Sequence, residues 1–336
     1  MYSSYIAGIG HFVPERVVTN FDLEKLMDTS DEWIYERTGI KERRWIVPCT
    51  ETTTSMGIKA AKAALQDAGK SPDEIDFIVF ATISPDYYFP GPGVGVQEAL
   101  GISEIGALDV RNQCSGFIYA LSVADQFIKT GMYKNILVIG AELQSHGLDK
   151  TTRGRNVSVI FGDGAGAVVL SAAKLNNSSQ ILSTHLHSQG SNAAELMVKD
   201  PGNLSKERFP IDFAEHEIPE SYFPYMNGNL VFKHAVTRFQ EVINEALSAN
   251  NKSVSDLKLL VPHQANYRIT QFVQRKFALS DAQVMSNIHR YGNTTAASIP
   301  IALSEAKQEG RIQRGDLVCL AAFGSGFTWA SALIRW

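Results

Sequence analysis

The chain has 336 residues, 44% of them apolar and 20% charged, which suits one large or two smaller globular domains. A net charge of −4 lacks the basic surplus of a general nucleic-acid binder, and no apolar run reaches the roughly 18–20 residues of a membrane span. Three cysteines (Cys49, Cys114 and Cys319), no C-x-x-C pair and no basic leader segment point to a reducing cytoplasm rather than a disulfide framework.

In chain order, M-Y-S-S-Y-I-A-G-I-G at the N-terminus reads as a first strand. Residues 55–68 carry apolar side chains at helical spacing, and Gly69 is placed to stop that helix. Buried strands are expected at 75–82, 135–142, 257–262 and 316–324, where short apolar runs are bounded by polar residues. A second amphipathic helix is expected over 235–250. Strands alternating with helices predict an α/β fold.

The chain also repeats itself. A-L-Q-D-A-G-K-S-P-D-E-I-D-F-I-V at 64–79 is echoed by A-L-S-A-N-N-K-S-V-S-D-L-K-L-L-V at 246–261, an offset of 182. Ala120-Leu121-Ser122 returns as Ala302-Leu303-Ser304 at the same offset, and the strands at 135–142 and 316–324 pair after a small slip. This predicts two related halves, 1–173 and 174–336, with the crossing in 174–180. Residues 199–222 are irregular and read as a long functional or capping loop.

Three segments carry candidate chemistry. R-N-Q-C-S-G-F-I-Y-A-L at 111–121 puts Cys114 where a polar turn becomes an apolar helix. Unpartnered N–H groups and the dipole at a helix start favour thiolate, the form that attacks carbonyls. P-H-Q-A-N-Y-R at 262–268 follows a strand and holds His263; Y-G-N-T-T-A-A-S-I-P at 291–300 holds Asn293. Taken alone, each residue has a plainer reading: a core thiol, a loop histidine, a helix cap. Together they suit thioester chemistry, and the repeat would bring both helix starts and the histidine loop to one pseudo-twofold axis. G-D-G-A-G at 162–166 lacks a following P-loop lysine and reads as close backbone packing, whereas F-G-S-G-F at 323–327 could supply an oxyanion N–H. Cys319 reads as an inert core thiol, Cys49 as a loop cysteine without a role, and nothing in the pattern suggests a metal cluster.

These motifs resemble the β-ketoacyl-acyl carrier protein synthase III family of thiolase-superfamily condensing enzymes. The likeness runs through 28–40, 114–121, 161–167, 227–233, 262–269, 292–300 and 322–329, nearly the whole chain. It implies a five-layered αβαβα fold of two duplicated halves and a homodimer. It implies that Cys114 takes an acyl group from a thioester, that the N–H groups of Cys114 and Ser325 hold its oxyanion, and that His263 and Asn293 stabilise the enolate of a decarboxylating malonyl thioester. Thr29, Trp33, Arg37, Arg155, Asn229 and Arg268 match positions that grip coenzyme A and its pantetheine, with Arg153 an alternative to Arg155. Lys233 and Arg268 would face the acidic carrier protein. Acyl-CoA and malonyl-ACP (or malonyl-CoA) would be substrates, with no permanently bound cofactor. Phe89, beside Tyr88, matches a residue that enters the partner's acyl pocket; glutamate stands there in the olefin-forming branch. Gln113 in place of a small residue and the aromatic 83–97 segment suit a specialised condensation in fatty-acid or polyketide-type synthesis. Two rivals are an acyltransferase to oxygen or nitrogen without decarboxylation, against which Asn293 weighs, and a non-catalytic partner subunit, which would be expected to lack the nucleophile.

Overall fold

A computed structural model describes residues 2–174, 178–204 and 217–336. The first sheet contains β1 (Tyr2–Phe12), β2 (Phe77–Ala81), β3 (Gly106–Val110), β4 (Asn135–Glu142) and β5 (Gly164–Lys174), in the order β1-β5-β4-β2-β3. The second contains β6 (Gln180–Ser188), β7 (Leu259–Pro262), β8 (Leu317–Gly324) and β9 (Thr328–Arg335), in the order β6-β9-β8-β7. The two orders are the same, save that the first sheet adds β3 at its edge. The strand directions match as well: β4 is parallel to β2 as β8 is to β7, the pairs β1–β5, β5–β4, β6–β9 and β9–β8 are antiparallel, and the added β3 runs parallel to β2.

The repeat is closer in space than in sequence. β8 starts and ends 182 residues after β4, so the strands need no slip. The turns Gln113–Ser115 and Thr295–Ala297 share that offset. So do the starts of the helices that follow, α4 (Gly116–Lys129) and α7 (Ser298–Gln308).

Five layers result, and alternation along the strands shows why. In β4, Leu137 and Ile139 pack outward with Met56, Ala60 and Ala64 of α2 (Thr53–Ala68), beside which lies α3 (Pro92–Ala99). Ile136 and Val138 pack inward on Phe117 and Leu121 of α4 and on Ile299 and Leu303 of α7. In β8, Val318 and Leu320 meet the same central helices from the other side. Cys319, Ala321 and Phe323 face Phe239 and Ile243 of α5 (Gly228–Ala249) and Val273 of α6 (Tyr267–Lys276). The order is α, β, α, β, α, with period-2 strands serving two cores each.

Local signals explain the ends. Thr52 caps α2 in a reciprocal box with Ser55, and Gly69 closes it at φ 62°. α5 begins before the expected 235 because Asn227 caps it at Gly228, and its first turns face a cleft rather than the core. α4 lies between two sheets, so even Asp125 is buried; Ser4 Oγ at 2.6 Å and Lys129 Nζ at 2.8 Å satisfy it. The glycines of 162–166 serve close packing: a Cβ on Gly162 would lie 2.2 Å from the Tyr291 carbonyl oxygen, and one on Gly166 2.7 Å from Pro300. Of the expected loop at 199–222, residues 205–216 lie outside the described residues, as do 175–177 of the expected crossing. Near the loop's far end, Glu220–Tyr222 forms a single helical turn.

Candidate active site

Cys114 lies in the turn between β3 and α4. The preceding residue, Gln113, holds φ 44°, a left-handed conformation rare for a side chain of its size, which makes the turn into the helix a sharp one. Opposite it, β8 ends at Gly324, where a Cβ would fall 2.6 Å from Cys114 Cβ and 3.0 Å from Sγ. Only glycine allows the strand end to come this close. The next residue turns its backbone N–H onto the sulfur, as Cys114's own N–H does, and both favour thiolate.

The expectation that the helix start makes Cys114 a thiolate is corrected. Burial, seconded by the charge of nearby Glu142, pushes the thiol up to about 12, and the two N–H groups do not offset this. The resting residue is a neutral thiol.

His263 follows β7, anchored by its N–H to the Ala321 carbonyl. Its Nδ1 lies 2.6 Å from Ser298 Oγ at the start of α7. Ser298 Oγ also receives the Gln264 N–H at 3.4 Å, and in the tautomer where its own hydroxyl donates to Nδ1 the ring proton sits on Nε2. Nε2 is buried without a partner among the described residues, and desolvation pulls the ring down to about 3, so the imidazole is neutral. Asn293 is held by its own backbone: its N–H goes to Ile160, its carbonyl receives Gly162 N–H, and its Oδ1 accepts from Thr295 N at 2.8 Å. With Oδ1 so engaged, the NH₂ is the group left for a ligand.

One cleft of about 800 Å³ is lined by Cys114, His263, Asn293, Phe323 and Gly324 at its base. Trp33, Arg37, Asn229 and Arg268 line it farther out. Trp33 and Arg37 lie on α1 (Asp31–Thr38), which Ser30 caps through Trp33 N. The Trp33 ring has the Arg37 guanidinium 4.5 Å from its centroid and that of Arg155 5.5 Å away. Arg155 also donates to the Asp28 carbonyl at 2.6 Å, outside the cleft's lining. Arg153 turns elsewhere, with Nε 2.5 Å from Asp149 Oδ2 and its guanidinium over Phe223. Thr29 is half-buried, its hydroxyl has no partner among the described residues, and it does not line the cleft. Lys233 is exposed on α5, and Arg268, exposed on α6, sits over Phe232 of α5. Tyr88 and Phe89 do not enter this chain's own cleft; Phe89 is 79% exposed.

The sequence matches the family models described as 3-Oxoacyl-[acyl-carrier-protein (ACP)] synthase III over residues 108–190 and 3-Oxoacyl-[acyl-carrier-protein (ACP)] synthase III C terminal over 247–336. It is 48% identical over 335 residues to the β-ketoacyl-[acyl-carrier-protein] synthase III of Rhodospirillum centenum, covering 99% of both chains. The chain belongs to the 3-oxoacyl-[acyl-carrier-protein] synthase III family. Its fold matches the crystal structure of the Aquifex aeolicus member with a TM-score of 0.89 at 43% identity, over 99% of this chain and 100% of that one. The priming β-ketosynthase of the R1128 polyketide pathway aligns with a TM-score of 0.87 at 30% identity, over 98% of this chain and 96% of that one. The protein is thus a condensing acyltransferase of the thiolase fold.

Three residues of this synthase III site escape a reading by motif. Ser298 could have been noticed as a hydroxyl opening the second repeat's helix. Gly324 hides among several glycines. Glu142 was visible as the one acid closing an apolar strand, yet only the fold brings it near Cys114.

Proposed function

We propose that this enzyme loads an acyl group from a thioester onto Cys114 and condenses it with a malonyl thioester, malonyl-ACP foremost, by decarboxylative Claisen chemistry. The observation that carries the reading is the meeting in one cleft of a thiol under two N–H groups, a neutral histidine with a free Nε2, and an amide whose oxygen is already engaged.

In the loading step, Cys114 Sγ attacks the thioester carbonyl, the N–H groups of Cys114 and Ser325 take the developing oxyanion, and the thiol proton ends on the departing carrier thiol. In the second step, the malonyl C–C bond breaks and carbon dioxide leaves. The electron pair enters an enolate whose oxygen accepts from His263 Nε2–H and the Asn293 amide. The enolate carbon attacks the acyl carbonyl, and Cys114 departs as thiolate and is reprotonated. A neutral histidine suits this role, because as a donor it needs no proton from solvent, and its depressed pKa keeps it in one form across the physiological range.

Trp33, with Arg37 and Arg155 on its ring, suits an adenine nucleotide and its phosphates at the mouth. Thr29, Asn229 and Arg268 complete the coenzyme A and pantetheine contacts, while Lys233 and Arg268 receive an acidic carrier protein. We read the chain as two halves, 1–173 and 174–336, and the enzyme as a homodimer. Support for the dimer comes from the half-exposed edge strand β3 and from the exposed aromatics at 87–89, with Phe89 closing the partner's acyl pocket. Acyl-CoA and the malonyl thioester are substrates, with no resident cofactor. Three free cysteines, Cys49 exposed, support a cytoplasmic location. Likeness to both fatty-acid and polyketide-priming enzymes supports a condensation in either setting.

The test separates the two steps. His263→Ala and Asn293→Ala should load acyl groups, read by intact mass, yet lose roughly 10²–10³ in malonyl decarboxylation. Decarboxylation at the parent rate by Asn293→Ala would remove the Claisen assignment.

A further inference from the structure

Glu142 stands beside this cleft and has no part in the chemistry above. It closes β4, a strand otherwise apolar after its first residue, and is fully buried. Its neighbours among the described residues are donors, and none is a cation: Ser84 Oγ at 2.6 Å, Thr82 Oγ1 and Ile83 N–H at 3.2 Å, and Gln144 Nε2 at 3.4 Å. The Ala296 N–H also points at this carboxylate. A buried carboxylate with only neutral partners is costly to a fold.

Its contacts lead to Asn293. Gln144 Nε2 also lies 3.1 Å from Thr295 Oγ1, and Thr295 N–H is the donor that fixes Asn293 Oδ1. Thr295 holds φ 50° and Ala296 follows it, so this turn is a strained one braced from outside. The same strand supplies a second brace: Gly140 lets the Ala296 carbonyl oxygen approach to where a Cβ would be 2.6 Å away. The position equivalent to Glu142 in the other half is Gly324, the residue pressed on Cys114, so each strand end supports the active turn of the opposite half.

We propose that Glu142 is a positioning residue for decarboxylation: it holds the Thr295–Ala297 turn, and through it the Asn293 amide, in the donor geometry that the enolate needs. The proposal rests on the assignment of Asn293 to the enolate. Because the charge of Glu142 disfavours thiolate at Cys114, its removal does not slow loading. The two half-reactions therefore part, decarboxylation falling while loading does not, which general damage to the fold would not produce.

The experiment uses the full chain with Glu142→Gln, Glu142→Asp and Thr295→Val, and with Glu142→Gln combined with Asn293→Ala. Loading is timed by intact mass with a short acyl-CoA, decarboxylation by carbon dioxide release from malonyl thioester, and folding by melting temperature. Glu142→Gln should lower decarboxylation about tenfold or more and load at least as fast as the parent. Glu142→Asp should regain part of the loss. Thr295→Val, which keeps the branched shape, should lower decarboxylation in the same direction and carries the test if Glu142→Gln does not fold. On the Asn293→Ala background, Glu142→Gln should cost nothing further. Parent-rate decarboxylation by folded Glu142→Gln, an equal loss in both half-reactions, or losses that multiply with Asn293→Ala would overturn the role of Glu142 alone. Parent-rate decarboxylation by Asn293→Ala itself would overturn the enolate assignment and this proposal with it.

Discussion

The turns Gln113–Ser115 and Thr295–Ala297 are the same piece of architecture used twice. Each is opened by a non-glycine residue at positive φ, 44° in Gln113 and 50° in Thr295, and each runs into a central helix. Each is braced by a strand end from the other half: Gly324 against Cys114, Gly140 against the Ala296 carbonyl. The chemistry differs. The first turn carries a thiol at its centre; the second has Ala296 at that position, and its polar group, Asn293, lies two residues before the turn. Strain and close packing thus belong to the scaffold, and function depends on which atom each turn presents. One presents a nucleophile, the other a hydrogen-bond donor, and the pseudo-twofold relation lets both address one substrate.

The largest expected effect removes one side of the comparison. Cys114→Ala should abolish the acyl adduct seen by intact mass. Cys49→Ala and Cys319→Ala should keep it, since the first is an exposed loop residue and the second a fully buried core thiol that does not line the cleft. An adduct on Cys114→Ala protein would place the nucleophile elsewhere.

The next pair breaks each turn from its far side. In Gly324→Ala the new methyl must displace Cys114, and in Gly140→Ala it must displace the Ala296 carbonyl. Overpacking of this kind costs about 1–3 kcal/mol, so both variants should melt lower. Their activities should part: Gly324→Ala loses loading by roughly tenfold to a hundredfold, Gly140→Ala loses decarboxylation by a similar factor. Equal damage to both half-reactions in both variants would mean that the turns do not act separately.

The sequence displayed much of this, and its gaps have a physical cause. The repeat was legible because the strands and helices of the two halves keep the same core-facing pattern, and the fold follows from it. Cys114, His263 and Asn293 stood out as polar residues at the edges of apolar runs. What could not be read was how residues distant in the chain act on one another once the repeat has brought them together. Local N–H groups at the helix start favour thiolate at Cys114, while burial and the charge of Glu142 decide the thiol's state. The small slip inferred between the paired strands vanished once hydrogen bonding, rather than side-chain identity, defined their ends.

Substrate choice gives a smaller effect. Phe89 is exposed in this chain and flanked by Pro90, and its proposed place is in the neighbour's acyl pocket. Phe89→Ala should open that pocket: each buried methylene of a longer primer gains about 0.8 kcal/mol, so two shift kcat/KM by about tenfold. Mixed dimers should carry the change in the unsubstituted subunit's site. A folded variant with unchanged primer preference would take Phe89 out of the pocket.

The smallest expected effect is on stability against pH, and it sets the two sides of the site against each other. His263 is held down to about 3 from an unfolded value of 6.5, so below 6.5 the unfolded chain binds a proton that the native state does not. Stability from His263 is therefore complete above pH 6.5 and is lost as pH falls toward 3. Glu142 is raised to about 7 from 4.5, chiefly by burial, so between these values the native state holds the extra proton. Stability from Glu142 is complete below 4.5 and is lost as pH rises through 7. Between 4.5 and 6.5 the two slopes oppose and largely cancel in the parent. His263→Gln should uncover the Glu142 slope, with urea stability gaining up to roughly 1 kcal/mol per pH unit, relative to the parent, as pH falls through that window. Glu142→Gln should do the reverse and lose stability over the same window. Differences from the parent isolate each group, because the other carboxylates titrate alike in all three proteins. Parallel stability curves for parent and variants would mean that neither group is shifted, and the neutral histidine would lose its support.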